Sequence, residues 1–97
     1  MKGYVYIMTT VNNSVLYTGV TSDLKARVHQ HINKKRPDSF SAKYNVTKLV
    51  YFEILDSIGE AIKREKQIKG GSRKKKVDLV NAFNPNWDDL IMVLDGI

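Results

Sequence analysis

The sequence predicts an α+β domain, a small three-stranded antiparallel sheet flanked by three or four helices, in the order ββαβαα with a short final helix. Three observations carry this. Residues 4–10 and 15–20 are β-branched and aromatic, and they flank Val11-Asn12-Asn13-Ser14, whose asparagines tolerate left-handed turn angles; together they read as a β-hairpin. Helix-capping residues precede each amphipathic stretch: Thr21, Ser22 and Asp23, then Ser57, then Ser72. Residues 47–54 form a third strand, mostly apolar, and so expected to be packed on both faces or central.

In order along the chain, Gly19 is expected to make a tight turn from the second strand into a first helix over 23–33. Leu24, Val28 and Ile32 form its apolar stripe. His31 falls ~60° and Arg27 ~100° from the centre of that stripe, on its shoulder. Residues 34–45 read as a polar loop. Ser57 and Glu60 make a capping box for a second helix over 58–69, with Ile58, Ala61, Ile62 and Ile68 inward. Gly70-Gly71 ends it. A third helix over 73–83 turns Val77, Leu79, Val80 and Phe83 to the core, and Asn84-Pro85-Asn86 stops it. A last helix over 87–94 points Trp87, Leu90, Ile91 and Leu94 inward.

The chain has 97 residues, 42% hydrophobic and 27% charged, which suits one globular domain over 1–97. It has no cysteine, which excludes disulfides and thiolate zinc sites. No apolar run approaches the ~20 residues of a membrane span, and no secretory signal core is present, so a soluble cytoplasmic protein is expected, monomeric by default. Net charge is +6 and unevenly placed. Lys34, Lys35 and Arg36 form one basic cluster, with Lys43 nearby; Lys69, Arg73, Lys74, Lys75 and Lys76 belong to a second. Beyond Lys76 the only charged residues are Asp78, Asp88, Asp89 and Asp95. This asymmetry fits a polyanion, most simply nucleic acid. A membrane surface would need an amphipathic anchor that the sequence lacks.

Two features point to chemistry. Arg27 and His31 are four apart on one helical face, close to the strand that carries Tyr17. A phenol, a guanidinium and an imidazole in one place could hold a phosphate and move a proton; half-core tyrosines and solvated helical cations are the plainer alternative. Glu65 lies within ~5–10° of the middle of an apolar stripe. A buried carboxylate needs a compensating cation, either Arg27 or a metal, and a purely structural Glu–Arg pair is the competing reading.

Tyr4-Val5-Tyr6 and Tyr17-Thr18-Gly19, followed by Arg27, His31, Glu65 and Asn84, resemble the signature of the GIY-YIG nuclease family. Ser41-Ala42-Lys43-Tyr44, Leu49-Val50-Tyr51-Phe52-Glu53 and Asn84-Pro85-Asn86-Trp87-Asp88-Asp89-Leu90 resemble its small stand-alone bacterial branch. The resemblance spans nearly the whole chain. It implies a GIY-YIG-like fold and a metal-dependent endonuclease that hydrolyses DNA phosphodiesters, in DNA repair or recombination. Tyr6, Tyr17, Arg27, His31 and Glu65 would be catalytic, Glu65 would hold one Mg²⁺ or Mn²⁺, and Gly19 and Asn84 would support the site. The basic residues named above would grip the backbone. The chain departs from the pattern at Tyr4 (Gly in the family), Thr18 (Ile), Val20 (often Lys) and Gly71 (often Trp). A non-catalytic nucleic-acid-binding or interaction module that keeps the fold is the alternative.

Overall fold

The computed structural model of the protein describes residues 1–33 and 39–95. Its elements are β1 (Gly3–Thr9), β2 (Leu16–Thr21), α1 (Leu24–Ile32), α2 (Phe40–Lys43), β3 (Lys48–Leu55), α3 (Ile58–Gly70), α4 (Arg73–Phe83) and α5 (Ile91–Asp95). Asn13 turns the hairpin at φ 61°, and its N–H donates to Thr10 O at 2.9 Å. Arg73 Nη2, at the start of α4, donates to the carbonyls of Asn13 and Ser14 at 3.4 and 3.2 Å and ties the hairpin tip down.

β1 pairs antiparallel with β2 on one side and β3 on the other, giving the order β2-β1-β3. The central strand is therefore β1, and β3 lies at an edge. The apolar run that suggests a central third strand has another cause. Ile7 pairs with Tyr51 and Met8 with Leu49, so Val50 is an extra residue, a β-bulge. The bulge breaks the alternation of faces. Val50 and Tyr51 both join the core around Val5 and Ile7, while Leu49 joins the core around Tyr6 and Met8. The middle of β3 is thus packed on both faces.

Successive strand residues point to opposite faces, and each face of the sheet has its own helices. Val5 and Ile7 meet Ala61 and Ile68 of α3 and Val80 of α4. Tyr6 and Met8 meet Leu24 and Val28 of α1 and Leu94 of α5. The caps form at Asp23, Ser57 and Ser72, whose side chains accept from the N–H groups of Ala26, Glu60 and Lys75. Thr21 instead closes β2, where its hydroxyl accepts from Asp23 N–H at 3.1 Å.

Several expectations are corrected. Gly19 sits inside β2, and among the described residues no glycine has a positive φ, so it makes no turn. α2 lies within the stretch expected to be loop; residues 34–38, with Lys34, Lys35 and Arg36, lie outside the described residues. On α3 the buried residues are Ala61, Glu65 and Ile68, whereas Ile58 and Ile62 are 36% and 39% exposed. Phe83 is exposed as well. The final helix starts at Ile91, because Trp87 adopts φ 55° outside the helical region. Asn84 holds that turn. Its Nδ2 donates to Asp88 O at 2.8 Å and to Val50 O at 3.2 Å, and its Oδ1 accepts from Asp88 N–H at 3.2 Å.

Candidate active site

Tyr6 projects from the central strand onto the α1 face and is fully buried. Glycine at position 19 makes this possible. Gly19 is directly opposite Tyr6, and a Cβ there would collide with Tyr6 Cζ and Oη. The missing side chain lets the phenol lie across β2 towards α1. Tyr17 shares that face, two positions along β2, with its ring centroid 6.2 Å from that of Tyr6. His31, in the last turn of α1, completes the group. Its ring packs edge-on at 5.7 Å from Tyr6 and 5.1 Å from Tyr17, and its Nε2 is 2.9 Å from Tyr6 Oη. His31 is more buried than its shoulder position implies, whereas Arg27, one turn earlier, is exposed. Arg27 and Tyr17 both lie close enough to the Tyr6 hydroxyl to act on its charge.

Burial pushes the Tyr6 pKa far up, and Tyr17 adds to the shift; Arg27 opposes it without overcoming it. Tyr6 therefore keeps its proton and cannot serve as a base. Burial, then the Arg27 cation, lowers the His31 pKa below its ordinary 6.5. His31 is neutral near pH 7, with one ring nitrogen able to accept a proton. The group thus has a buried hydrogen-bonded tyrosine–imidazole pair, a half-buried second phenol and an exposed guanidinium at its mouth.

Glu65 is buried at 8% exposure on α3, which covers the opposite face of the sheet from Tyr17. The structure thus brings together four of the five expected catalytic residues. It places the fifth behind β2, the edge strand over which α3 also packs. Lys69, one turn along, is the cation beside it, rather than Arg27; its Nζ is 3.0 Å from Glu65 Oε1. The contact is an ion pair that leaves Oε1 without a hydrogen bond, and Thr18 Oγ1 is likewise buried with no hydrogen bond to its oxygen. Register puts Thr18, opposite Ile7, on the α3 face. A buried carboxylate oxygen is a ligand type that hard divalent cations take, but here the Lys69 ammonium occupies the place beside it. Among the described residues no three His, Cys, Asp or Glu side chains gather, so a cation here would have one protein carboxylate and otherwise water. Glu65 would take that role with the Lys69 ammonium displaced from Oε1. Val20 lies on the same face as Thr18 and packs into the core with Ala61 and Ile68.

The basic residues are less free than the sequence implies. Arg73 holds the hairpin, Lys69 faces Glu65, Lys74 Nζ pairs with Asp78 at 2.9 Å, and Lys76 Nζ donates to Gly71 O at 2.8 Å. Lys75 and Lys43 are exposed. Asn84 supports the fold at the end of α4, joining β3 to the turn before α5. Sequence reading misses the partner of Glu65 and the buried oxygen of Thr18. The i,i+4 spacing of Glu65 and Lys69 is the available signal for the first; a threonine in an aliphatic strand position is a weak one for the second.

The GIY-YIG catalytic domain matches residues 2–78, and the chain belongs to that family of nuclease domains. Its relatives include a UPF0213 protein of Syntrophus aciditrophicus, 37% identical over 84 residues, covering 87% of this chain and 94% of that protein. Another is a UPF0213 protein of Staphylococcus haemolyticus, 41% identical over 83 residues, with 81% and 94% covered. The fold is similar to the solution NMR structure of the UPF0213 protein BH0048 from Bacillus halodurans, at TM-score 0.57 and 30% identity, covering 92% of this chain and 93% of that one. Among the described residues no helix is long and apolar enough to cross a membrane.

Proposed function

We propose that this chain is a metal-dependent endonuclease that hydrolyses DNA phosphodiester bonds in the cytoplasm, in DNA repair or recombination. The observation that supports it most is the convergence of Tyr6, Tyr17 and His31 beneath the exposed Arg27. Arg27 forks onto the phosphate oxygens and stabilises the charge added in the transition state. Tyr17 orients the attacking water and takes its proton. Tyr17 would act here as its phenolate, a form that costs a free phenol ~4 kcal/mol at pH 7. His31, neutral, accepts the proton onward, and Tyr6 holds the imidazole in place through its hydrogen bond. Glu65 would hold one Mg²⁺ or Mn²⁺ near the edge of β2. A divalent ion held there would supply Lewis-acid polarisation of a phosphate oxygen.

One observation favours the second reading, a nucleic-acid-binding module without turnover: Lys69 already neutralises Glu65. The experiment that decides is a panel of labelled branched, nicked, single-stranded and duplex DNA and RNA, incubated with Mg²⁺ or Mn²⁺, with Glu65→Ala as control. Cleavage that needs both metal and Glu65 supports the enzyme. Metal-independent binding with no cleavage on any substrate supports the module.

A further inference from the structure

Between α3 and α4 lies a cleft of about 380 Å³ whose lining includes none of Tyr6, Tyr17, Arg27 or His31. Its floor is aliphatic, with Ile68, Leu79 and Ala82. Its rim carries three cations, Arg64, Lys75 and Lys76. Asp78 also lines it, but Lys74 answers that charge at 2.9 Å and Glu53 answers Arg64 at 3.0 Å, so the rim's net positive charge rests on Lys75 and Lys76. Gly71 closes one end without a side chain. A Cβ there would make only ordinary contacts, at 3.4 Å with Ile68 O and 3.5 Å with Lys75 Cδ.

Arg64 is fixed before any ligand arrives. Its Nε lies 3.1 and 3.0 Å from the two Glu53 oxygens, its Nη2 3.0 Å from Glu53 Oε2, and its Nη1 donates to Gln67 Oε1 at 3.0 Å. With these edges engaged, the guanidinium offers a ligand chiefly its flat faces. Lys75 is exposed and forms no ion pair among the described residues. Lys76 uses one of its three ammonium donors on Gly71 O. An apolar floor, a pre-set planar cation and two ammonium groups complement a planar ring joined to a phosphate. The volume is near the ~300 Å³ lower end of small-ligand pockets, which leaves room for one such unit.

We propose that this cleft seats one unpaired nucleotide of a bound nucleic-acid strand, its base on Ile68, Leu79 and the Arg64 plane and its phosphate on Lys75 and Lys76. The proposal rests on the nucleic-acid reading above and adds a site on the α3–α4 side. Two variants separate its parts. Gly71→Ile fills the cleft without changing charge, and the backbone at φ −82° and ψ 169° accepts a β-branched residue. Lys75→Gln removes a charge without filling it.

The test is fluorescence anisotropy in EDTA, with labelled single-stranded oligothymidine and a blunt duplex of equal length, and with free thymidine monophosphate as competitor. Gly71→Ile is expected to weaken single-strand binding about tenfold while leaving duplex binding within about twofold, a loss typical of one seated base. Lys75→Gln is expected to weaken the single strand and flatten its salt dependence. Equal losses on both probes, or no loss with Gly71→Ile, would overturn the proposal. So would full competition by the free monophosphate at oligonucleotide-like concentrations, since the ligand would then be a free nucleotide. Metal-dependent cleavage by Gly71→Ile, measured separately, keeps the nuclease reading distinct: that reading survives the loss of the cleft proposal if cleavage persists.

Discussion

Replacing Glu65 by Gln separates a metal ligand from a structural carboxylate. The change keeps size and shape and removes one charge. The ion pair it breaks is half-exposed, with Lys69 58% and Glu65 10% exposed at their side chains, and contributes on the order of 1 kcal/mol. Neutralising a carboxylate that is 8% exposed also relieves a desolvation cost, which acts in the opposite direction. The two effects leave stability within about 1 kcal/mol, or about 4–8 °C in melting temperature for a domain of this size. DNA affinity is expected to hold or rise, because a negative charge goes and Lys69 is released. Cleavage is expected to vanish, since a neutral amide is a poor substitute for a carboxylate at a divalent cation. Thermal melts, DNA titration and cleavage on one preparation read all three. Wild-type cleavage by the folded variant would refute the metal assignment. A drop of several kcal/mol in stability, with binding and cleavage abolished together, would make Glu65 a structural residue.

Gly19→Ala places a methyl group against the Tyr6 ring and hydroxyl; such overpacking costs about 1–3 kcal/mol, so the melting temperature should fall, and unchanged stability would refute the packing account of this glycine. The lowered His31 pKa makes stability depend on pH. Between the folded value and 6.5 the unfolded chain binds more protons, so stability should be full above 6.5 and decline as pH falls through that window. Melts from neutral to acid should show the decline in wild type and less of it in His31→Gln. Neutralising Lys74, Lys75 and Lys76 together should flatten the log–log salt dependence of DNA binding by roughly 0.7–0.9 for each phosphate that is no longer neutralised. The pairing of Lys74 with Asp78 predicts that Lys75 contributes more to that change than Lys74, which single substitutions would check.

The hairpin, the caps at Asp23, Ser57 and Ser72, and α4 are legible in the sequence because their signals are local: turn asparagines, side-chain oxygens ahead of an amphipathic run, a Gly-Gly stop. The position of β3 is not. A bulge at Val50 makes an edge strand look like a central one, and strand order depends on pairing between distant segments. The last helix begins later than its apolar spacing predicts because Asn84 bonds both to Asp88 O and to its N–H, which holds a non-helical turn ahead of Ile91. In the candidate site, the helical spacing of Arg27 and His31 and the strand position of Tyr17 foretell a meeting place. That Tyr6 joins it follows from the register Tyr6–Gly19, which the turn residues alone leave open. Glu65 is recognisable as buried from its helical phase, yet phase within one helix does not say which face of the sheet that helix covers.

The most direct test of the central claim, that the tyrosine group performs phosphodiester hydrolysis, is single-turnover cleavage by wild type and Tyr17→Phe in Mn²⁺ or Mg²⁺, on the substrate the panel identifies. The substitution removes one hydroxyl from a half-buried ring and leaves its packing against His31 in place. The account predicts that Tyr17→Phe folds with at most the loss of one hydrogen bond, about 0.5–1.5 kcal/mol, binds DNA like wild type and does not cut. Cleavage by Tyr17→Phe at the wild-type rate would contradict it, as would a wild-type protein that cuts no nucleic acid in the panel.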